Sequence, residues 1–223
     1  MDNPKGTTRF LDPLVHGDYP PSMKLNVGER LPNFTKEEQK MVNGSYDFVG
    51  VNYYTSRYVQ ATKLTSSEPA NYTNDQRLTK LTEKNGVPIG EQAGGFDQIY
   101  VYPVGLLKVL EHMKLAYKNP KIFITENGYP DKRNDSIPIK TALQDDKRIM
   151  VLQEHLYYIK NSISKGVNIK GYFVWSIVDG MEMNSAYTIR FGLCYVDYLD
   201  NYKHYPKKSI TWYRKLITNE TSG

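Results

Sequence analysis

The run Ile122-Phe123-Ile124-Thr125-Glu126-Asn127-Gly128 carries the clearest chemical signal in the chain. A short apolar stretch, patterned as a buried strand, ends in a carboxylate followed by Asn-Gly. A charge at the mouth of such a strand is expensive to hold unless it has partners or a task. Glu126 is therefore the first candidate for chemistry. In that place a glutamate can serve as a nucleophile, a general base or a metal ligand.

Other chemistries find less support. The four histidines, His16, His112, His155 and His204, are far apart, and no Cys/His cluster has zinc spacing. The one cysteine, Cys194, sits in the apolar run Phe191 to Val196 and reads as a buried structural thiol. Gly90, Gly94 and Gly95 lie in a polar stretch and not after a strand, so no phosphate loop is expected. The net charge of +5 comes from scattered Lys and Arg, with no basic stripe interleaved with aromatics. A solvated basic surface is expected, not a nucleic-acid interface. No run of eighteen apolar residues is present, so no membrane span is expected. The N-terminus lacks the layout of a signal peptide, and the compartment stays open. Asn-X-Ser/Thr triplets stand at Asn33, Asn43, Asn71, Asn134 and Asn219, and they matter only on a secretory route.

The elements that must position Glu126 follow from the patterning. Residues 10–35 are rich in Pro and Gly and read as an irregular surface segment with short helical pieces at most. Thr35 to Val42 reads as a short helix capped by Thr35 with Glu38 three residues on, and Asn43-Gly44 ends it. Tyr46 to Tyr54 is an apolar strand expected to be buried on both faces. Residues 60–98 are polar and read as one long loop. Val104 to Tyr117 has helical spacing, and the Glu126 strand follows. Residues 129–140 form another loop. Ala142 to Lys165 reads as a helix stopped by Gly166, Ile169 to Ser176 as a third strand, Phe191 to Val196 as a short outer strand, and Ser209 to Leu216 as a final helix. Strands alternating with helices predict an α/β fold with parallel strands. Long loops after each strand suit a (β/α) barrel, whose catalytic residues sit at the strands' C-terminal ends.

Taken together, the motifs resemble the landmarks of the family 1 glycoside hydrolases. Asp47-Phe48-Val49-Gly50-Val51-Asn52-Tyr53-Tyr54-Thr55 is one, and Ile124-Thr125-Glu126-Asn127-Gly128 a second. Gly171-Tyr172-Phe173-Val174-Trp175-Ser176, continuing through Asp179, Glu182, Tyr187, Arg190-Phe191-Gly192 and Val196-Asp197-Tyr198, is a third. Phe10-Leu11-Asp12-Pro13-Leu14 with Gly17-Asp18-Tyr19-Pro20 is similar to a fourth. The agreement runs from about Phe10 to Trp212, with a flavour of the plant β-glucosidases, including those that act on alkaloid glucosides. The resemblance implies hydrolysis of β-D-glucosides with retention, with Glu126 as nucleophile. Asn52 and Tyr54 match the residues that approach nucleophile and sugar, and their i, i+2 spacing puts both on one strand face. Trp175 matches the floor of the sugar site and Glu182 the carboxylate that holds sugar hydroxyls. Tyr187 and Arg190 read as structural. No metal, nucleotide or redox cofactor is implied, and the partner is a small-molecule β-glucoside.

The sequence departs from the family in three places. The acid/base glutamate of a retaining glycosidase lies about 5 Å from the nucleophile, and in this family it belongs to an Asn-Glu-Pro motif that this sequence lacks. Glu68-Pro69 follows Ser67 in a polar stretch and is a poor substitute. We therefore expect residues 1–223 to be a single partial domain, about the last three strands and helices of an eight-stranded barrel. Such a piece is expected to be inactive alone; the alternative is a catalytically inactive homologue that binds sugar weakly or associates with full-length homologues and modulates them. Second, the family's Asp-Asn-Phe-Glu-Trp reads Asp179-Gly180-Met181-Glu182-Met183 here, so a sugar-binding indole is replaced by Met183, which has no donor. Third, a Trp that commonly lines the aglycone side aligns with Gln98.

Overall fold

A computed structural model describes residues 5–62, 69–94 and 96–218. Glu68, Gly95 and the Asn219 triplet lie outside them. The centre is a three-stranded parallel sheet ordered Val49–Asn52, Ile122–Asn127, Ile169–Val174, so the Glu126 strand is the middle one. The α/β class and the parallel pairing expected from the sequence are both present.

Two helices, Pro103–Ala116 and Asp146–Ser164, connect these strands and pack on one face of the sheet. Pro103 opens the first, where a missing N–H is harmless. Leu106, Leu110 and Met113 meet Ile122 and Ile124, all essentially fully buried. Alternation along the middle strand turns Phe123 and Thr125 to the opposite side. There Gly50 and Gly171 leave the room that Thr125 and Phe123 occupy, for a Cβ at either glycine would crowd those side chains.

That opposite side corrects one expectation. Tyr46 to Tyr54 is not buried on both faces: the strand covers Val49–Asn52, with Gly50 and Asn52 exposed and Phe48 half-exposed. Helices cover only the other face, and among the described residues no second layer meets this one. Phe48 and Phe123 pack edge to face here (5.1 Å), and Phe173 is exposed.

Three further expectations change. Lys5–His16 is a twelve-residue helix despite Pro13, because Leu11 and Val15, one turn apart, seat it on the core. Residues 60–98 are not one loop. They hold the antiparallel pairs Tyr58–Ala61 with Leu78–Leu81, Glu83–Lys84 with Val87–Pro88, and Glu91–Gln92 with Tyr100–Val101. Asn85-Gly86, both at positive φ, makes the tight turn of the middle pair. Ala142 to Lys165 is not one helix: Ile139–Ala142 and Asp146–Ser164 are separated at Asp145. Asp145 leaves helical geometry to accept from the Ser209 N–H (2.9 Å) and hydroxyl (2.6 Å) and to pair with buried Arg148. The Thr35 cap with Glu38 and the stop at Gly166 (φ +79°) agree with the sequence reading. The outer strand is Cys194–Asp197, paired with Lys203–Pro206, and the last helix is Lys208–Thr218.

Candidate active site

Glu126 emerges at the C-terminal end of the middle strand, where both ladders slip. Val51 lies opposite Ile124 but Asn52 opposite Glu126, and Tyr172 opposite Ile124 but Val174 opposite Asn127. Such irregularities bend a strand and re-aim its side chains. The Tyr54 hydroxyl donates to Glu126 Oε2 at 2.7 Å. Burial, then the bond to Glu126 and the charges of Glu126 and Glu182, push the Tyr54 hydroxyl well above the usual tyrosine range. It therefore stays a proton-bearing donor at ordinary pH. Its ring is held edge-on by Phe191 (5.7 Å). This bond fixes the orientation of the Glu126 carboxylate.

The third strand delivers Trp175 beside this pair. The Trp175 backbone N–H donates to Asn127 O (2.9 Å), and its indole Nε1–H donates to Glu182 Oε1 (3.0 Å). A tight turn holds Glu182, whose N–H donates to Ala186 O (2.8 Å), with Asn184 and Ala186 at positive φ. Burial raises the Glu182 carboxyl, the Trp175 hydrogen bond opposes this, and the charges of Glu126 and Asp179 add to the rise. The base of the loop is fixed by Asp179, fully enclosed. It accepts from Arg190 (2.8 Å), Lys207 (3.0 Å), Gly192 N–H (2.9 Å) and Val196 N–H (3.3 Å). Arg190 is thus structural, as the sequence suggested.

The structure joins Tyr54 to Glu126 directly and Trp175 to Glu182 directly. Asn52 is exposed beside Glu126, and its Oδ1 accepts from the hydroxyl of Thr125 (2.6 Å), the residue before Glu126 in the chain. Met183 is 85% exposed, and Gln98 is exposed too, its carbonyl accepting from Arg57. Sequence reasoning gave no role to Asn127, Tyr172 or Asp179. Asp179, directly after Ile177-Val178, was visible as a polar residue at the end of an apolar pair, a signal of buried hydrogen bonding, whereas Asn127, between Glu126 and Gly128, carried no such signal. Among the described residues, no group of three or more His, Cys, Asp or Glu could hold a metal. None of the described helices is long and apolar enough to cross a membrane.

A half-buried carboxylate oriented by a tyrosine, beside an accessible indole braced by a second carboxylate, can bind a polyhydroxylated ring. It can also present an oxygen to an electrophilic carbon. Comparison with known proteins points the same way. The model of glycosyl hydrolase family 1 matches residues 6–222. Beta-glucosidase 24 of Oryza sativa subsp. japonica is 44% identical over 210 residues, covering 94% of this chain and 42% of the relative. Raucaffricine-O-beta-D-glucosidase of Rauvolfia serpentina is 45% identical over 205 residues, covering 91% and 38%. A crystal structure of a rice β-glucosidase superposes with a TM-score of 0.91 at 40% identity, over 95% of this chain and 45% of that one. A β-glucosidase from the fungus Humicola insolens, in complex with glucose, gives 0.85 at 34% identity, over 95% and 44%. The chain thus spans about two fifths of the length of the curated relatives it matches.

Proposed function

This chain belongs to glycosyl hydrolase family 1, and we propose on that premise that it supplies the nucleophile and part of the sugar site for hydrolysis of O-linked β-D-glucosides with retention. Glu126 attacks the anomeric carbon, and Asn52, Tyr54, Trp175 and Glu182 hold it and the sugar. The observation that carries this reading is the 2.7 Å bond from Tyr54 to Glu126 at the ends of adjacent parallel strands, beside the Trp175–Glu182 pair. The three strands then represent about the last three of an eight-stranded barrel, with residues 1–223 forming one partial domain. Plant secondary-metabolite glucosides are the substrate class favoured by the relatives' names.

Retention needs a second carboxyl to protonate the leaving oxygen and later activate water. The Asn-Glu-Pro motif that carries it in the family is not in this sequence. Glu182 is committed to Trp175. The first half of the reaction can still run when the leaving group needs no proton. With 2,4-dinitrophenyl β-D-glucoside, we expect a burst of dinitrophenolate near one equivalent, followed by very slow turnover. The burst is absent in Glu126→Gln. Steady turnover of an unactivated aryl glucoside by this chain alone would contradict the missing acid/base, and no burst at all would contradict the nucleophile.

A second reading is supported by the exposed inner face of the sheet, with Phe48 and Phe173 in solvent, and by two outer strands with no further partner among the described residues. Such edges pair readily. In this reading the chain is catalytically silent, binds sugar, and associates with full-length homologues. Light scattering of a mixture with a full-length relative tests it: a complex of the summed mass supports association, and two unchanged species refute it.

A further inference from the structure

Asn127 follows the candidate nucleophile directly and is fully buried. Its side chain uses both ends. Nδ2 donates to the Tyr53 carbonyl at 2.7 Å, and Oδ1 accepts from the Tyr172 hydroxyl at 2.7 Å. Tyr53 extends the first strand and Tyr172 lies in the third, so one amide ties all three strands together. Its backbone carbonyl also accepts from Trp175 N–H (2.9 Å), while Tyr53 N–H donates to Glu126 O (2.9 Å). Three of these links end on a residue next to, or identical with, a member of the site: Tyr53 precedes Tyr54, Tyr53 N–H meets Glu126 itself, and Trp175 is itself the indole; the fourth ends on Tyr172, in the strand that delivers Trp175.

The chemistry of the position admits few substitutes. The Tyr53 carbonyl can only accept, so the amide nitrogen must face it. Burial raises the Tyr172 hydroxyl far above its usual range, so it remains a donor and needs an acceptor. Asparagine meets both demands. An ionised aspartate would set two acceptors against each other without water to relieve them, and an alanine would leave both partners unsatisfied. The next residue, Gly128, allows the close approach, for a Cβ there would stand 2.0 Å from the Trp175 carbonyl oxygen.

We infer that Asn127 is a positioning residue of the site: its amide clasps the three strand ends and so fixes Glu126, Tyr54 and Trp175 relative to one another. This inference rests on the reading of Glu126 as nucleophile. A purely structural asparagine and a positioning one separate in the dinitrophenyl glucoside burst. Loss of fold lowers the burst amplitude and leaves the rate constant of the remaining molecules unchanged. Loss of positioning lowers the rate constant with the amplitude kept. Misplacement by an ångström can cost on the order of 100-fold.

In Asn127→Asp the burst rate constant is expected to fall on the order of 10- to 100-fold near neutral pH. It is expected to recover as the pH falls and the substituted carboxyl gains a proton, because a protonated carboxyl again offers one donor and one acceptor in the same shape. The wild-type rate constant, measured in parallel, sets the baseline at each pH. Calorimetric affinity for a glucose-configured iminosugar, which needs no bond cleavage, gives a second readout and is expected to weaken and recover in step. A normal rate constant and affinity in Asn127→Asp at neutral pH, or an amplitude loss alone, overturns the positioning role while leaving Glu126 as nucleophile. A wild-type chain with neither burst nor iminosugar binding overturns the nucleophile reading, and this inference with it.

Discussion

Replacing Tyr54 by phenylalanine removes one hydroxyl and keeps the ring. The ring's edge contact with Phe191 survives (5.7 Å), so folding should change little. What disappears is the 2.7 Å donor on Glu126 Oε2. Hydrogen bonds to a charged group are worth about 1.5–3 kcal/mol, and about 1.4 kcal/mol is tenfold in rate. Two effects then compete. A carboxylate without its donor is the better nucleophile in electronic terms. It is also free to rotate, and its second oxygen is no longer held in one orientation. The site is partly desolvated, which strengthens the hold of the single donor on the carboxylate, so orientation dominates. The burst rate constant of dinitrophenyl glucoside should fall on the order of 10- to 100-fold in Tyr54→Phe, with amplitude and thermal midpoint nearly unchanged. Stopped-flow absorbance of the phenolate and a denaturation scan measure all three. A rate constant equal to or above wild type would show that Tyr54 does not orient Glu126, and the argument from geometry would fail.

His155 is 1% exposed, with Nδ1 at 2.7 Å from the Val151 carbonyl and a buried Nε2 without a partner among the described residues, and burial pulls its pKa from 6.5 to about 4. The unfolded chain therefore takes up this proton first. The neutral imidazole's contribution is whole above pH 6.5 and is lost as pH falls towards 4, amounting to about 3 kcal/mol at the limit. Urea midpoints should fall more steeply between pH 7.5 and 5 in wild type than in His155→Gln, and equal slopes would refute this. Gly128→Ala should fail to give a soluble, cooperatively unfolding chain, since its Cβ would meet the Trp175 carbonyl oxygen at 2.0 Å; a normal thermal midpoint counts against the close approach. Met183→Trp should leave stability alone, because residue 183 is 85% exposed, and should tighten iminosugar binding by roughly tenfold if the indole regains one hydrogen bond. Unchanged affinity would show that the position does not reach the sugar.

The parts of this molecule legible in its sequence are those set by local pattern. The helix-period runs of Pro103–Ala116 and Asp146–Ser164 and the apolar Ile122–Ile124 stretch announce themselves, because helix packing against a strand demands those periods. Glu126 stood out because an isolated charge at a strand end is costly. The rest depends on distant partners. Asp145 breaks a helical pattern to reach Ser209 and Arg148, and no local rule signals that. Leu11 and Val15 hold a helix together across Pro13 through the core. Asn85-Gly86 was a readable turn, hidden among polar flanks that gave no strand alternation. The exposed face of Val49–Asn52 could not be seen either, since an apolar run shows that burial is wanted and not what supplies it.

The central claim is that Glu126 forms the bond to the sugar. The most direct measurement is incubation with 2,4-dinitrophenyl 2-deoxy-2-fluoro-β-D-glucoside, followed by intact-mass and peptide mass spectrometry. The fluorine slows breakdown of a glycosyl–enzyme ester, and the leaving group needs no acid. An added mass of one fluoroglucosyl group is expected, confined to the peptide carrying Glu126 and missing in Glu126→Gln. A label on another residue, or none on a chain shown to be folded, would contradict it.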